Sequence, residues 1–306
     1  MTIDGIALLG GVTVPLITPM DETGRPAVAD DLLGALAGAG VEKLMLLGSN
    51  GEGPLLPTAT IGAFLDGVIK KWRSLTDGGV VTVNVTAAGT LEALERAEIA
   101  AAANADALVM SPPIYFQHRD DEIVSHYAAL AGVGLPVIAY NAPRYSNPLT
   151  RALIDALLDL DHLAGIKDSS GDIDFFGYLV ERARTRPGFA VSQGAETQLA
   201  AALELGADGV VPGVANIGPG LALQLVAAHQ AGDRDETHRL QALITALTGL
   251  HTIRRGTSGV KEILAQLALC PPYVAPPLLR SEPAERDAFQ QFIAAHQNQL
   301  LHPTKG

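Results

Sequence analysis

Cysteine is almost absent from this 306-residue sequence, and long apolar runs are absent too. Cys270 is the only cysteine, so no disulfide can form within the chain, which suits a reducing compartment. No apolar run reaches the roughly 20 residues that a membrane span needs. The N-terminal stretch MTIDGIALLGG has an early acidic residue and no basic n-region. We therefore expect a cytoplasmic protein that is neither exported nor inserted into a membrane.

Basic residues are also in deficit, because 21 Lys and Arg stand against 33 Asp and Glu and give a formal net charge of −12. Such a surface lacks the basic footprint of nucleic-acid-binding proteins. The eight histidines show no close ligand spacing such as H-x-x-x-H, so we expect no metal site. We also expect no cofactor. Small molecules are the favoured partners, and backbone N–H groups in a pocket can still hold a small anion.

Eight short apolar runs alternate with longer segments of helical periodicity. The runs are nearly continuous and rich in β-branched residues, which is typical of strands buried on both faces of a parallel sheet. Eight strand–helix alternations predict a closed (β/α)8 barrel, that is, a TIM barrel. An open doubly wound sheet is the alternative, because counting strands does not show closure. The runs lie at residues 12–17, 44–48, 80–85, 107–111, 136–140, 164–167, 189–193 and 208–212.

After residue 213 only helices are indicated. The first of them closes the barrel, and no flexible Gly/Ser linker separates it from the others. We expect a barrel at residues 1–231 and a C-terminal helical extension, packed on the barrel, at residues 232–306. The helices are predicted at residues 217–231, 233–250, 258–269 and 283–300.

Catalytic groups of such barrels sit at the C-terminal ends of the strands, so the residues that follow each run are the first candidates. The sixth run ends AGIK, which places Lys167 at the mouth. Burial between the barrel walls favours a neutral amine, and a neutral amine can attack a ketone to form an imine. The alternative is a lysine that reaches solvent or pairs with Asp168, and the neighbours of Lys167 decide between the two.

Two other strand ends carry tyrosines. The fifth run ends with Tyr140, one strand away from Lys167. A tyrosine hydroxyl can transfer protons during C–C cleavage, or the ring can simply fill the top of the barrel. The fourth run leads into SPPIYF, where two prolines stiffen the loop and Tyr115 projects near the mouth. Tyr115 is a candidate for the site, for the fold or for an interface.

The second run leads into a glycine-rich loop, GSNGEG, at residues 48–53. Its glycines, Gly48 among them, free backbone N–H groups to approach an anion, and Ser49 and Asn50 add hydrogen-bond donors. The loop is therefore a candidate carboxylate site. An ordinary tight turn is the alternative reading of the same residues.

Taken in order, these motifs resemble the dihydrodipicolinate synthase/N-acetylneuraminate lyase family of class I, pyruvate-dependent aldolases. The similarity covers nearly the whole chain, and the ordered set is more specific than any single motif. The motifs are GVTVPLITPMDE (11–22), GSNGE (48–52), SPPIYF (111–116), YNAP (140–143), GIKDSSGD (165–172) and ELGADGVVPGVAN (204–216).

The resemblance implies a role for each candidate. Lys167 matches the lysine that forms an imine with pyruvate or a 2-oxo acid, and Tyr140 matches the central general acid and base. Ser49 matches the hydroxyl that links this tyrosine into a proton relay, and Asn50 matches the neighbouring carboxylate binder. Tyr115 matches the tyrosine contributed across a subunit interface, and a homotetramer, as a dimer of dimers, is implied.

The chain departs from the family pattern where a second substrate would bind. Synthases that condense pyruvate with aspartate semialdehyde carry an arginine in P-S-R-T-G after the tyrosine of the fifth strand. Here Tyr145 takes that position in ungapped register, and Arg144 is one place early. A tyrosine cannot form a bidentate ion pair with a carboxylate, so synthase activity is disfavoured unless the loop shifts by one residue.

Other segments resemble the lyases of the family. GSNGE resembles the loop of 4-hydroxy-2-oxoglutarate aldolases, and KDSSGD resembles the K-x-T-S-G-D segment of sialic acid lyases. Ser169 is a candidate donor to a substrate hydroxyl. Glu196 is a candidate for binding a polyol, or else a charge at a helix N-terminus. These segments favour hydroxylated substrates.

The leading hypothesis is an enzyme that cleaves or forms a C–C bond next to pyruvate in a 4-hydroxy-2-oxo acid or a 2-keto-3-deoxy sugar acid. A dihydrodipicolinate synthase is the first alternative, and a catalytically silent paralogue that binds a 2-oxo acid is the second. A metal-dependent aldolase is less favoured because of the histidine spacing.

Overall fold

The computed structural model describes residues 3–303 and has a closed barrel at its centre. Each of the eight apolar runs overlaps a parallel strand, and the last strand pairs with the first. This closure confirms the predicted (β/α)8 barrel and excludes the open doubly wound sheet. The strands are β1 (Gly11–Pro15), β2 (Lys43–Leu46), β3 (Val80–Asn84), β4 (Ala107–Met110), β5 (Val137–Asn141), β6 (Leu163–Asp168), β7 (Ala190–Gln193) and β8 (Gly209–Val210).

Helices surround the strands and continue beyond them. Within residues 3–303, one short α-helix precedes β1, eight α-helices follow the eight strands in turn, and four more α-helices form the predicted C-terminal extension. The helices are α1 (Gly5–Leu9), α2 (Asp30–Gly38), α3 (Thr58–Leu75), α4 (Thr90–Ala102), α5 (Asp120–Ala128), α6 (Arg151–Leu157), α7 (Ile173–Ala183), α8 (Leu199–Leu205), α9 (Pro219–Gln230), α10 (Arg234–Leu247), α11 (Leu250–Ile253), α12 (Thr257–Gln266) and α13 (Pro283–His296).

Two layers of apolar side chains hold the barrel together. One layer lies between the strands and the helices, and the other fills the inside of the barrel. In β2, for example, Leu44 and Leu46 belong to the outer layer and Met45 belongs to the inner one. Because both faces of each strand are covered, the strands are apolar at nearly every position. This is why the runs were visible in the sequence.

The short helix α1 closes the lower end of the barrel, where the strands begin. Asp4 caps its first turn, and the Gly5 N–H donates to the Gly188 carbonyl at 2.7 Å. Leu8 and Leu9 pack into the inner apolar layer. The helix was not predicted, because five residues are too few to show a helical period.

The C-terminal extension shares its core with the barrel. Leu240, Ile263 and Phe289 of the extension are fully buried in the same apolar cluster as the outer faces of the strands. The extension therefore packs on the barrel, and the apolar core is continuous across it. The division of the chain at residues 231 and 232 stays a prediction.

The last helix is shorter than the sequence indicated. It ends at His296, so the predicted end at residue 300 is wrong. The chain leaves the helix so that Leu300 and Leu301 become buried, and the Leu301 N–H donates to the Ile217 carbonyl at 2.7 Å. Burying these two leucines against the barrel stabilises the observed conformation more than four further helical residues would.

Among the helices of residues 3–303, none combines the length and the apolar character that crossing a membrane requires.

Replacement of Leu9 by alanine tests the role of α1. The fully buried side chain of Leu9 would leave a cavity, so we expect the free energy of unfolding to fall by about 2–5 kcal/mol. Leu91→Ala, at an exposed position of α4, is the matched control and should change it by less than about 0.5 kcal/mol. Chemical denaturation measures both, and equal small effects would show that α1 is not part of the core.

Candidate active site

A shift in the pairing of β5 with β6 decides which way Lys167 points. After Val137 the register moves by one residue, so that Ala164 is extra in β6. Side chains of a strand alternate between its two faces, and an extra residue reverses the alternation that follows. Lys167 consequently pairs with Tyr140 and faces the inside of the barrel rather than the outer helices.

Lys167 and Tyr140 form a buried pair at the upper end of the barrel. Their side chains are 4% and 5% exposed. The Lys167 Nζ lies 4.1 Å from the centroid of the Tyr140 ring and 3.8 Å from the Sδ of Met45. A cation is attracted to the face of an aromatic ring, whereas a thioether is only a weak acceptor. The amine thus lies in a mostly apolar environment beside a phenol.

Two serine hydroxyls lie near the phenol of Tyr140. Burial alone raises the pKa of Tyr140, but the charge of Lys167 and the side chains of Ser49 and Ser169 together outweigh burial. The pKa of Tyr140 therefore lies below the usual value for tyrosine. Such a phenol gives up its proton more readily, which suits a general base. The structure brings these four predicted residues together from β2, β5 and β6.

The loop after β2 carries the other predicted binding groups. Gly48 is buried, and Ser49 and Asn50 are half-buried. The amide of Asn50 reaches toward the loop after β8, because a Cβ placed on Gly213 would lie 3.1 Å from its Nδ2. The loop after β2 thus places the hydroxyl of Ser49 inside the barrel and the amide of Asn50 at its mouth.

Glu196 lies beside the same glycine, after β7. A Cβ on Gly213 would lie 3.2 Å from its Oε1, and this oxygen accepts the Val214 N–H at 2.6 Å. The carboxylate therefore bonds the next loop rather than the first turn of its own helix. Burial raises the pKa of Glu196, and the Val214 N–H, His251 and Lys167 offset part of the rise. Glu196 is an acceptor at the mouth of the barrel.

The remaining candidates lie on the rim. Tyr115 is 87% exposed, Tyr145 is 59% exposed, and Arg144 is exposed as well. Asn147 ties the two rim loops together by donating to the Pro113 carbonyl at 2.9 Å. Within one chain the structure does not bring these three candidates into contact with the buried pair.

Asp168 does not serve as the partner of Lys167. It is fully buried, and its Oδ1 accepts from the Asn141 amide at 2.7 Å while its Oδ2 accepts from the Ser170 hydroxyl at 2.9 Å. Burial raises the pKa of Asp168, and these two partners oppose the rise. The carboxylate holds the ends of β5 and β6 together, which leaves the Lys167 amine to Tyr140 and Met45.

Two residues of the site, Gly194 and Met45, were not among the sequence candidates. A Cβ on Gly194 would collide with the Ser169 hydroxyl and lie 3.0 Å from the Lys167 Cε. Only glycine leaves room for these side chains. Its position directly after β7 was a usable signal, but glycine has no functional group to draw attention to it. Met45 could have been identified only from the alternation of β2, which turns its side chain toward the inside of the barrel.

Comparisons with known proteins identify relatives of this chain. The model of the Dihydrodipicolinate synthetase family matches residues 8–296. An uncharacterized DapA-like lyase of Halobacterium salinarum is 32% identical over 264 residues, which cover 84% of each chain. A 4-hydroxy-tetrahydrodipicolinate synthase of Alkalilimnicola ehrlichii is 29% identical over 288 residues, or 92% of this chain and 96% of the relative. The solved dihydrodipicolinate synthase of Bacteroides thetaiotaomicron has a TM-score of 0.87 and 28% identity, and the match covers 94% of this chain and 98% of that one.

The fold and the site define a (β/α)8-barrel protein with an amine and a phenol buried together at the upper strand ends. The family match extends over nearly the whole chain, so the protein belongs to the dihydrodipicolinate synthetase family. The resemblance that the motifs showed is confirmed.

Removal of the Lys167 charge tests the electrostatics of the pair. In Lys167→Met the main group that offsets burial is lost, so we expect the pKa of Tyr140 to rise. Titration of 13C-labelled tyrosine by NMR measures the shift, with Tyr140→Phe for assignment. Lys43→Met, at the lower end of β2, is the matched control and should leave the titration unchanged. An unchanged Tyr140 pKa in Lys167→Met would contradict the contact.

Proposed function

We propose that the protein is a class I aldolase or lyase that breaks or forms a C–C bond next to pyruvate through an imine at Lys167. The buried contact between Lys167 and Tyr140 carries the proposal. An amine in an apolar pocket is a nucleophile for a ketone, and a tyrosine with a lowered pKa can accept and return protons. Membership of the family supports the same chemistry.

Imine formation uses both members of the pair. After the Lys167 ammonium gives a proton to the Tyr140 phenolate, the Nζ attacks the keto carbon of a 2-oxo acid, and the keto oxygen takes a proton to give a carbinolamine. Loss of that oxygen as water gives the protonated imine, with Tyr140 supplying and removing protons. The hydroxyl of Ser49, near the phenol, extends the path by which protons leave.

Cleavage follows from the imine. The Tyr140 phenolate removes the proton of the hydroxyl on C4, the bond from C3 to C4 breaks, and its electron pair moves into the imine to give an enamine. The hydroxylated fragment leaves as an aldehyde. Protonation of the enamine at C3 and hydrolysis then release pyruvate and restore the Lys167 amine. The reverse sequence forms the bond, and neither direction needs a cofactor.

The loop after β2 suits the carboxylate of the 2-oxo acid. Backbone N–H groups near Gly48 and the polar side chains of Ser49 and Asn50 lie at the same strand end as the amine. Hydrogen-bond donors that are already fixed in the free protein orient the substrate without any further ordering of the loop. We assign these groups to the carboxylate and the buried pair to the keto carbon.

The polar groups at the mouth favour a hydroxylated second fragment. Glu196 is an acceptor for hydroxyl groups, and Ser169 is a further partner. Tyr145 offers a phenol where a synthase needs an arginine, and both it and Arg144 are exposed. We therefore propose a 4-hydroxy-2-oxo acid or a 2-keto-3-deoxy sugar acid as substrate. The naming of curated relatives as 4-hydroxy-tetrahydrodipicolinate synthases favours synthase activity as the second candidate.

Assembly is part of the proposal. Tyr115 is almost fully exposed, its φ angle is 82°, and its ring contacts that of Phe116 edge to face at 4.8 Å between centroids. An exposed aromatic pair is typical of a surface that another subunit covers. We propose a homotetramer, as a dimer of dimers, in which Tyr115 reaches the site of a neighbouring subunit. The cytoplasmic location stays a prediction.

Borohydride trapping tests the imine directly. After incubation with pyruvate and borohydride, we expect peptide mass spectrometry to find a reduced pyruvyl adduct on Lys167. The adduct should be absent in Lys167→Ala and present in the control Lys43→Ala. If wild-type protein forms no adduct while a known aldolase does, the assignment as an enzyme fails. Stabilisation by 2-oxo acids without turnover would then favour the silent paralogue.

A substrate panel with Glu196→Gln tests the second fragment. A hydrogen bond to a charged group contributes about 1.5–3 kcal/mol, so kcat/KM for the preferred hydroxylated acid should fall by about 10- to 100-fold. Pyruvate trapping should not change, because Glu196 lies at the mouth. Faster condensation with aspartate semialdehyde than cleavage of either acid class would instead identify a synthase.

A further inference from the structure

The loop after β2 has a backbone that needs support. Leu47 and Glu52 have φ angles of 58° and 56°, in the left-handed region that residues other than glycine seldom adopt. Ser49 and Asn50 lie between these two residues. Strained conformations of this kind persist only where surrounding contacts hold them. The groups that hold the loop therefore also set the positions of its side chains.

A buried ion pair with the C-terminal extension holds one end of this loop. Lys261 of α12 places its Nζ 2.7 Å from the Oε1 of Glu52, and both side chains are buried. The other oxygen of Glu52 accepts the Ala275 N–H at 2.6 Å, and Lys261 also donates to the Tyr273 carbonyl at 2.8 Å. Both carboxylate oxygens are thus engaged by residues of the extension.

The barrel holds the loop from the other side. The Thr18 hydroxyl, in the segment after β1, donates to the Gly51 carbonyl at 2.6 Å, and this contact is buried. A side chain at Gly53 would collide with the Leu47 carbonyl, so the loop also folds tightly on itself. The ion pair is the contact that connects this arrangement to the extension.

Stability alone is a poor explanation for the ion pair. Burying two charges carries a large desolvation penalty, and apolar residues of similar volume often stabilise a core as well or better. An ion pair differs from apolar packing because it joins two particular charged groups at a short distance. Here it fixes Glu52, which lies three residues after Ser49, the serine near the Tyr140 hydroxyl.

We propose that Lys261 is a positioning residue for the site. Through Glu52 it holds Ser49 at the Tyr140 hydroxyl and Asn50 at the substrate carboxylate, although Lys261 contacts neither the substrate nor the reacting atoms. The inference rests on the proposed function and goes beyond it, because it gives the C-terminal extension a role in positioning the loop that binds the substrate.

The double variant Glu52→Gln/Lys261→Met tests the inference. It removes both charges, so no unpaired charge stays buried, and the new amide oxygen can still accept the Ala275 N–H. Leu264→Ala is the matched control, because it removes a fully buried side chain from the same helix and leaves the ion pair intact. The measurement is the rate of borohydride trapping against pyruvate concentration, at a temperature where circular dichroism shows all proteins folded.

We expect the double variant to lose about tenfold to 100-fold in kcat/KM for imine formation, since misplacement of groups by ~1 Å can reduce a rate on the order of 100-fold. Leu264→Ala should keep the wild-type value despite a lower Tm. Hydrogen exchange at the backbone N–H groups of residues 48–53 should speed up in the double variant only.

Two results would overturn the inference. One is a folded double variant with wild-type trapping and wild-type exchange at residues 48–53. The other is an equal loss in Leu264→Ala, which would reveal a general effect of stability. If wild-type protein traps no pyruvate, the proposed function fails separately, and the exchange measurement still decides whether the ion pair orders the loop.

Discussion

The register between β5 and β6 is the constraint on which the site depends. Without the extra residue at Ala164, Lys167 would turn toward the outer helices and Asp168 would enter the barrel. Tyr140 would then be buried without the cation that offsets the effect of burial on its pKa. Because the sheet is closed, no strand can slip without breaking its pairing on both sides. Barrel closure therefore protects the contact between amine and phenol.

The sequence was sufficient to predict the positions of the strands and the strand ends at which Lys167 and Tyr140 lie. Strands covered on both faces must be apolar throughout, so the runs and their polar ends stand out, and Lys167 and Tyr140 fall at neighbouring ends. The extra residue in β6 was not predictable, because small residues such as Ala164 fit on either face of a strand. The pairing of Glu52 with Lys261 joins segments far apart in the chain, and no local pattern encodes such a contact.

The distribution of charge is compatible with the proposed acid substrate, although the protein as a whole is acidic. The net charge of −12 describes the outer surface, where most of the carboxylates lie. Inside the mouth, Lys167 and the polar loop after β2 create a local environment of the opposite character. Burial raises the pKa of Glu196, so this carboxylate carries its charge less readily than one in water. The local field at the site, rather than the average of the surface, determines what binds.

Helix α1 closes the lower end of the barrel, so the upper end is the open one. Leu8 and Leu9 occupy the lower end, so anything that reaches the buried amine must pass the mouth. A molecule bound covalently at Lys167 lies deeper than the fragment beyond it, and that outer fragment blocks its exit. For the proposed cleavage this geometry imposes an order on the products. The aldehyde departs first, and pyruvate follows only after the way out is clear.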